Sequence, residues 1–562
     1  MGIRFFTVLF AMLLLAGCGN QDPLAAPTDL TVETGDGEIR LDWSLSDEAQ
    51  RYQVYVLTAK DQALDEAFET FVVEAPPVRL DGLDNQTDYY LAVVAQRWLR
   101  ADSEAARTGA RPEGPFTPIG GLNDTGLQQC YDGDADAMVS CPVADWPGQD
   151  ADFGRDRLAA EGELEKIDAG HAGFDFTKIA ANGATLPADA EEWRCVRDNV
   201  TGLMWEVKTA DPDDWYADED DIHALVHRWS WYNPDERVNG GRAGIRHTAL
   251  GSCPLEYCST RDFIEAVNEK GLCGYNDWRL PTVREWLSIN NYHPSPTIRR
   301  RINNFVDTTY FPSQRHRGTY PFFWSGSAFV NPLLDMEPGD DAESLGMGWN
   351  HHTGGSLHAP QAADISSHVK LARHVSQDNQ HVDETIPAVE ARGDQKCVDN
   401  IPRSNHPQDL MPRPDGTVVH QAYGLMWMRC SIGQEWDGET CVGEPTTLDI
   451  QSALQTAADY SYAGYDDWRV PNIKELDTLI ERSCAHPAID LNLFPNTPRK
   501  SHALSSTAVY WGEGSAREEL RDPEFFGITQ DQGIVRTIPV DLDNLRSSLP
   551  QETHVRLVRD LE

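Results

Sequence analysis

The chain has 562 residues and a formal net charge of −43, from 90 acidic and 47 basic side chains. That acidic excess excludes a nucleic-acid binder, whose phosphate contacts demand a basic face, and the length excludes a single hydrophobic core. Eleven cysteines and sixteen tryptophans point instead to several disulfide-braced, aromatic-rich domains that fold outside a reducing compartment.

Residues 1–18 open with Met-Gly-Ile-Arg, run through an apolar stretch from Phe5 to Leu15 and reach Leu15-Ala16-Gly17-Cys18. An apolar run of about a dozen residues is too short for a lasting transmembrane helix and has the size of a secretory signal. The final four residues resemble the bacterial lipobox. This implies that Cys18 becomes the acylated first residue of an exported protein, and Gly19 in place of aspartate implies sorting to the outer membrane. The expected partner is therefore a membrane, held through the lipid. Ten cysteines remain, Cys130, Cys141, Cys195, Cys253, Cys258, Cys273, Cys397, Cys430, Cys441 and Cys484. They suffice for five disulfides, and no CxxC pair with a histidine set suggests zinc.

After a linker at 19–26, residues 27–112 read as strands between turns, such as Glu38 to Trp43, Tyr52 to Val56 and Tyr89 to Ala95. Alternation and spacing predict an all-β sandwich. Trp43 on an early strand and Leu83-x5-Tyr89 before a late one resemble the fibronectin type III pattern, which implies a spacer or adhesive module. Residues 113–194 are rich in Asp, Gly and Ala, too poor in apolar side chains for a core of their own, and are expected to pack as an extended lead-in against the domain that begins at 195. Asp132, Asp134 and Asp136 alternate inside the Cys130 to Cys141 loop and make a weak calcium candidate, though Ala137 and Val143 occupy the positions an EF-hand gives to glycine and glutamate. The acidic run Asp211 to Asp221 is a second one. The plainer reading of both is a solvated acidic loop, with no cofactor.

The remainder contains a repeat. Cys195-Val196-Arg197-Asp198 and Gly202-Leu203-Met204-Trp205 align with Cys397-Val398-Asp399-Asn400 and Gly424-Leu425-Met426-Trp427. Gly274-Tyr275-Asn276-Asp277-Trp278-Arg279-Leu280-Pro281-Thr282 aligns with Gly464-Tyr465-Asp466-Asp467-Trp468-Arg469-Val470-Pro471-Asn472. Phe323-Trp324 aligns with Tyr510-Trp511, and His368 to Arg373 with His554 to Arg559. Two copies thus span 195–376 and 397–562, joined by a linker at 377–396. A strand-to-helix junction follows each proline, with Glu285 three residues after Thr282 forming a capping box. Trp278 and Trp468 are expected in the core, and Arg279 and Arg469 on a buried carboxylate. Only Cys195 and Cys397 occupy matching positions, leaving three pairings per copy, of which Cys430 with Cys441 is the simplest local one.

Gly-Leu-Met-Trp followed by Gly-Tyr-x-Asp-Trp-Arg-Leu-Pro-Thr resembles the Lcl C-terminal domain family in both copies, through Trp205, Trp278 and Arg279 and through Trp427, Trp468 and Arg469. The resemblance implies C-type-lectin-like folds, so the fold class is multidomain: an all-β sandwich, then two α+β lectin-like domains. It also implies adhesion, in one relative to sulfated polysaccharide. Here the only basic run is Arg299-Arg300-Arg301, which fits such a ligand poorly. Formylglycine-generating enzymes share the wording but use late cysteines, and the segments after Trp324 and Trp511 hold none before their copies close. His351, His352, His358, His368 and His374 cluster without helical spacing, and no hydrolase motif is present. The expectation is a non-enzymatic envelope lipoprotein binding a glycan or envelope protein, two copies adding avidity. The alternative is a scaffold of an envelope complex.

Overall fold

Alternation is cleanest at Arg51–Leu57, where Tyr52, Val54 and Val56 turn inward and Arg51 outward. It is one strand of a sandwich made by β1 (Thr28–Gly35), β2 (Glu38–Ser44), β3 (Arg51–Leu57), β4 (Glu69–Val73), β5 (Val78–Asp81), β6 (Tyr89–Gln96) and β7 (Ala106–Ala110). One sheet has the order β1-β2-β5 and the other β4-β3-β6-β7, all antiparallel. The sheets bury Ile39, Leu41, Trp43, Leu91 and Val93 between them, with Trp43 edge-on to Tyr52 at 5.2 Å. Leu83 and Tyr89 are buried in the same core. This is a fibronectin type III-like arrangement of strands.

The computed structural model describes residues 23–110 except 36–37, 59, 61, 74, 82, 84–88 and 98–99, then 121–133, 137–209, 220–247, 253–293, 306–312, 322–330, 345–350, 355–360, 366–375, 389–509, 524–540 and 552–561. Cys18 lies outside them. The sandwich belongs to one compact unit, Met1–Thr117 with Leu561–Glu562, and Pro118–Asp560 form another. No helix among the described residues is long and apolar enough to cross a membrane.

The second unit is mostly β-structure with short helices, α1 (Gly154–Glu161), α2 (Thr260–Lys270), α3 (Val283–Ser288), α4 (Ile450–Ala458) and α5 (Ile473–Asp477). One antiparallel sheet runs Thr185–Leu186, Phe176–Ile179, Cys195–Asp198, Leu203–Glu206, Ala372–His374. Its counterpart runs Leu410–Pro412, Thr417–His420, Leu425–Met428, Val558–Asp560. The registers match: Val196 faces Trp205 as Val418 faces Trp427, and Ala372 faces Trp205 as Val558 faces Trp427.

These registers correct two alignments. The position equivalent to Cys195 is Thr417, because only that strand forms the hairpin with Leu425–Met428. Cys397 instead pairs with Cys484 in a separate two-stranded ladder. Likewise Gly326 donates its N–H to Pro281 O at 2.8 Å as Ser506 does to Pro471 O. Trp324 therefore corresponds to Leu504, and Tyr510 and Trp511 lie outside the described residues. The first copy also begins before residue 195, since Phe176–Ile179 of the lead-in is an inner strand of its sheet.

All ten cysteines form disulfides: Cys130–Cys141, Cys195–Cys273, Cys253–Cys258, Cys397–Cys484 and Cys430–Cys441. One apolar cluster runs through the lead-in (Leu127, Phe174), the first copy (Trp205, Val283, Trp286) and the second (Ile473, Leu476, Phe526). The copies are halves of one body rather than beads on a linker. The insert after Trp205 closes a second cluster, where Trp229, Trp231 and Phe263 pack with Trp278 and Trp324.

Candidate functional site

Each letter of the repeated motif has a mechanical role, and it is the same in both copies. Trp278 and Trp468 are buried, their indole N–H groups donating to Leu272 O at 3.1 Å and Tyr462 O at 3.0 Å. Asp277 and Asp467 each accept from an arginine of the closing strand, Arg373 or Arg559, at 2.6 Å. Tyr275 and Tyr465 stack on those same guanidinium groups at 3.7 and 4.0 Å. Arg279 forks onto Glu285 at 2.6 and 2.8 Å, and Arg469 onto Glu475 at 2.7 Å. Each glutamate also caps its helix, accepting from Thr282 N at 2.7 Å or Asn472 N at 2.8 Å. Burial pushes the Glu285 carboxyl up, but the charge and hydrogen bonds of Arg279 outweigh it and hold the group at about 2. With its polar atoms spent inside the fold, the motif leaves little to offer a ligand.

What the motif frames is a pair of cavities at equivalent places. The larger, about 370 Å³, touches Thr201, Leu203, Thr282, Glu285 and His374. The smaller, about 260 Å³, touches Tyr423, Leu425, Asn472, Glu475 and Asp560. These are the same five positions in the two copies, and Gly121, Leu122 and Tyr423 line both. Their remaining walls differ. The second copy and the residues before it close the larger one with Ile401, Pro402, Arg403, Ser404 and Arg482. The lead-in closes the smaller one with Asn123, Asp124, Asp150 and Phe153.

Cations dominate the larger cavity. Arg284 lies partly buried with Nε 3.6 Å from Asp477 Oδ2. Arg482 is buried and donates Nη2 to Asp477, while Arg403 Nη2 reaches Asp490 Oδ2 at 2.6 Å. The Nε–H groups of Arg403 and Arg482 are buried without an acceptor. His374 stands 3.6 Å from Glu285, and burial lowers its pKa.

The smaller cavity is lined by acids and arginines together, Asp124, Asp150, Glu475 and Asp560 with Arg155 and Arg469, and Asp156 and Lys474 are buried near these acids. Burial raises the pKa of Asp124, Asp150 and Asp156; the charge of Glu475 adds to it at Asp124, that of Asp124 at Asp150, which reaches about 8, and those of Asp124 and Asp150 at Asp156. Burial lowers the pKa of Lys474 to about 7.

The sequence-predicted sites lie elsewhere. Asp132 sits on the edge hairpin Cys130–Asp132 with Ala137–Val139, and Asp134 and Asp136 lie outside the described residues. Asp221 serves the local chain, accepting from Thr209 Oγ1 at 3.0 Å and His223 N at 3.0 Å, and 211–219 lie outside. His351 and His352 also lie outside, as does the side chain of His358, whereas His368 is buried against His227 O at 3.2 Å. Sequence reasoning missed Arg403, Arg482, Asn123 and Asp150, which sit in no repeated motif. It also missed Arg284 and Lys474, which occupy one position of the two copies two residues after Thr282 and Asn472.

The family described as Lcl C-terminal domain matches residues 194–356 and 416–559. The second match begins at the Thr417 strand rather than at Cys397. No curated protein matches the chain. Among solved structures, the fn3 domain of human collagen alpha-1(XX) is 30% identical over 18% of this chain and 99% of that one, with a TM-score of 0.15. The FN5 domain of Drosophila Lar is 19% identical over 16% of this chain and 98% of that one, with a TM-score of 0.14.

Proposed function

The chain belongs to the Lcl C-terminal domain family, and from that premise we propose that it is a lipid-anchored envelope protein that binds, without turnover, the anionic or acceptor-rich end of a ligand in the larger cavity. The observation that carries this is the convergence of Arg284, Arg403 and Arg482 on one cavity of about 370 Å³. That volume falls in the range of small-ligand sites, and guanidinium groups pair strongly with carboxylates.

The cavity is composite. Thr282 and Glu285 come from one copy and Arg482 from the other, so the repeat makes one shared seat of this kind rather than two alike, and the expectation of avidity from paired copies is dropped. A single charged end entering the cavity is compatible with a net charge of −43, whereas a long polyanion lying across the surface is not. The ten cysteines downstream of Cys18 are locked in disulfides, so none of them offers the reactive thiol that a formylglycine-generating chemistry uses. The lipobox-like Leu15 to Cys18 supports the anchor.

A thermal-shift screen of small carboxylic acids and carboxylated sugars against neutral counterparts tests the reading. Stabilisation by carboxylates alone is the expected result. Stabilisation by none, with cross-linking to an envelope protein instead, would move the reading to a scaffold.

A further inference from the structure

The two cavities differ at one strand position. His374 pairs with Leu203 on the closing strand of the first copy, and Asp560 pairs with Leu425 on that of the second. His374 lines the larger cavity and Asp560 the smaller. One copy thus places an imidazole where the other places a carboxylate.

The exchange changes the charge that each wall presents. In the second copy Asp560 accepts from Arg469 Nη2 at 2.8 Å, and its side chain stays 59% exposed, so a carboxylate faces any anion that approaches. In the first copy Arg279 forks onto Glu285, and the imidazole beside the fork brings no negative charge. The His374 side chain is 21% exposed, with Nε2 3.6 Å from Glu285 Oε1. The charged groups that face it are Glu285 on α3, Arg279 and Asp277 on the segment before α3, and Arg373 on its own strand. Both acids already have arginine partners, Glu285 in Arg279 and Asp277 in Arg373. Two acids and two bases offset one another, and the charge that can vary is that of the imidazole.

The rest of the wall is fixed in charge or differs in kind. Arg284, Arg403 and Arg482 line it and stay protonated at any physiological pH, and Glu285 is held at about 2. Asp409 and Tyr423 complete its ionisable groups, and His374 is the one histidine of this wall among the described residues. Histidine is the side chain whose ordinary range spans mildly acid to neutral pH. Burial lowers the pKa of His374 below the ordinary 6.5, which leaves the ring neutral at neutral pH without a ligand. A carboxylate seated in this partly buried space is screened little from the ring and would favour its protonated form. By linkage, the proton then favours the carboxylate to the same degree.

We propose that His374 sets the affinity of the larger cavity for anions through a proton, so that the site holds an anionic ligand more tightly in mildly acid surroundings than in neutral ones. The proposal rests on the larger cavity being the ligand seat.

The full chain in detergent is titrated calorimetrically with sodium benzoate and with sodium glucuronate at about pH 7.5 and about pH 5.5, either side of the histidine range. An affinity about three- to tenfold higher at the lower pH is expected, a change of up to one pH unit in the imidazole's pKa on binding. Titrations between these values in two buffers of different ionisation heat should show proton uptake on binding. His374→Gln, which keeps a polar side chain with no proton to gain, should bind as the parent does at the higher pH and lose the gain at the lower one. His374→Asp, which copies the second repeat, should bind more weakly than the parent at both, and if that variant does not fold, His374→Gln decides. Equal parent affinity at the two pH values, or a gain that His374→Gln keeps, would overturn the proposal and leave the ligand seat standing. Binding of neither probe at either pH, and of no carboxylate in the thermal-shift screen, would overturn the seat and the proposal together.

Discussion

Arg284 and Lys474 occupy the same position in the two copies and cross in opposite directions to close each other's helix. Arg284 Nη2 donates to the carbonyls of Asp477 at 3.1 Å, Thr478 at 3.2 Å and Ile480 at 3.3 Å, at the end of α5. Lys474 Nζ donates to Ser288 O at 2.9 Å, at the end of α3. Terminal carbonyls that lose such a donor are left unsatisfied in a buried place. Arg284→Met and Lys474→Met should each cost about 3 kcal/mol. Both should lower one shared calorimetric transition of residues 118–560. A substitution that melts its own copy first, leaving the other at its original Tm, would mean that the copies fold independently.

The arginine forks differ in a way that ranks two conservative substitutions. Arg279 pairs with Glu285, whereas Arg469 pairs with Glu475 and, at 2.8 Å, with Asp560. Lysine cannot reproduce a bidentate fork. Arg279→Lys should cost about 1–2 kcal/mol and Arg469→Lys about 1 kcal/mol more, as read from urea midpoints. Equal costs would show that Asp560, half exposed, adds nothing.

Loop length ranks the disulfides. Cys397–Cys484 spans 87 residues and Cys253–Cys258 only 5. On chain-entropy grounds, replacing the first pair by alanine should cost about 4.5 kcal/mol and the second about 2 kcal/mol. Denaturant unfolding of the two double variants checks the order.

Acid groups buried at and near the smaller cavity give the protein a distinctive pH profile. The Asp150 carboxyl has an ordinary value of 3.8 and is raised to about 8 by burial and by Asp124. Below its ordinary value it is protonated in folded and unfolded chain alike, so its stabilising contribution is fully present. As pH rises towards 8 the unfolded chain ionises first, and the contribution is lost. Stability should therefore fall between about pH 4 and about pH 8. Asp150→Asn should make that fall shallower, the remainder coming from Asp124 and Asp156. Glu285 works the other way. Held at about 2, it stabilises above its ordinary value of 4.5 and loses that contribution as pH falls towards 2. Urea midpoints across the range separate the two limbs.

Much of the body was legible because the motif letters do local work. Proline, a capping residue and glutamate at fixed spacing announce α3 and α5, and tryptophan and arginine beside them announce a core and a buried fork. The sandwich was legible from alternation at β3 and β6. Register was not, because a cysteine in each copy offered a false landmark and only the hairpin partner of Leu425–Met428 reveals Thr417 as the match. Neither cavity was legible. Arg482, Arg403, Asp150 and Asn123 converge from separate segments of the chain, and nothing in local spacing marks a residue whose partner lies across a fold.

If one composite cavity between the copies seats an anionic end, the most direct test is calorimetric titration of the carboxylate that stabilises the chain best, against the parent, Arg403→Gln and Asp150→Asn. Saturable binding to the parent is predicted, weakened at least about tenfold by Arg403→Gln, which removes a charged donor worth about 1.5–3 kcal/mol, and unchanged by Asp150→Asn. Equal affinity for the parent and Arg403→Gln, or saturable binding by no carboxylate at all, would contradict it.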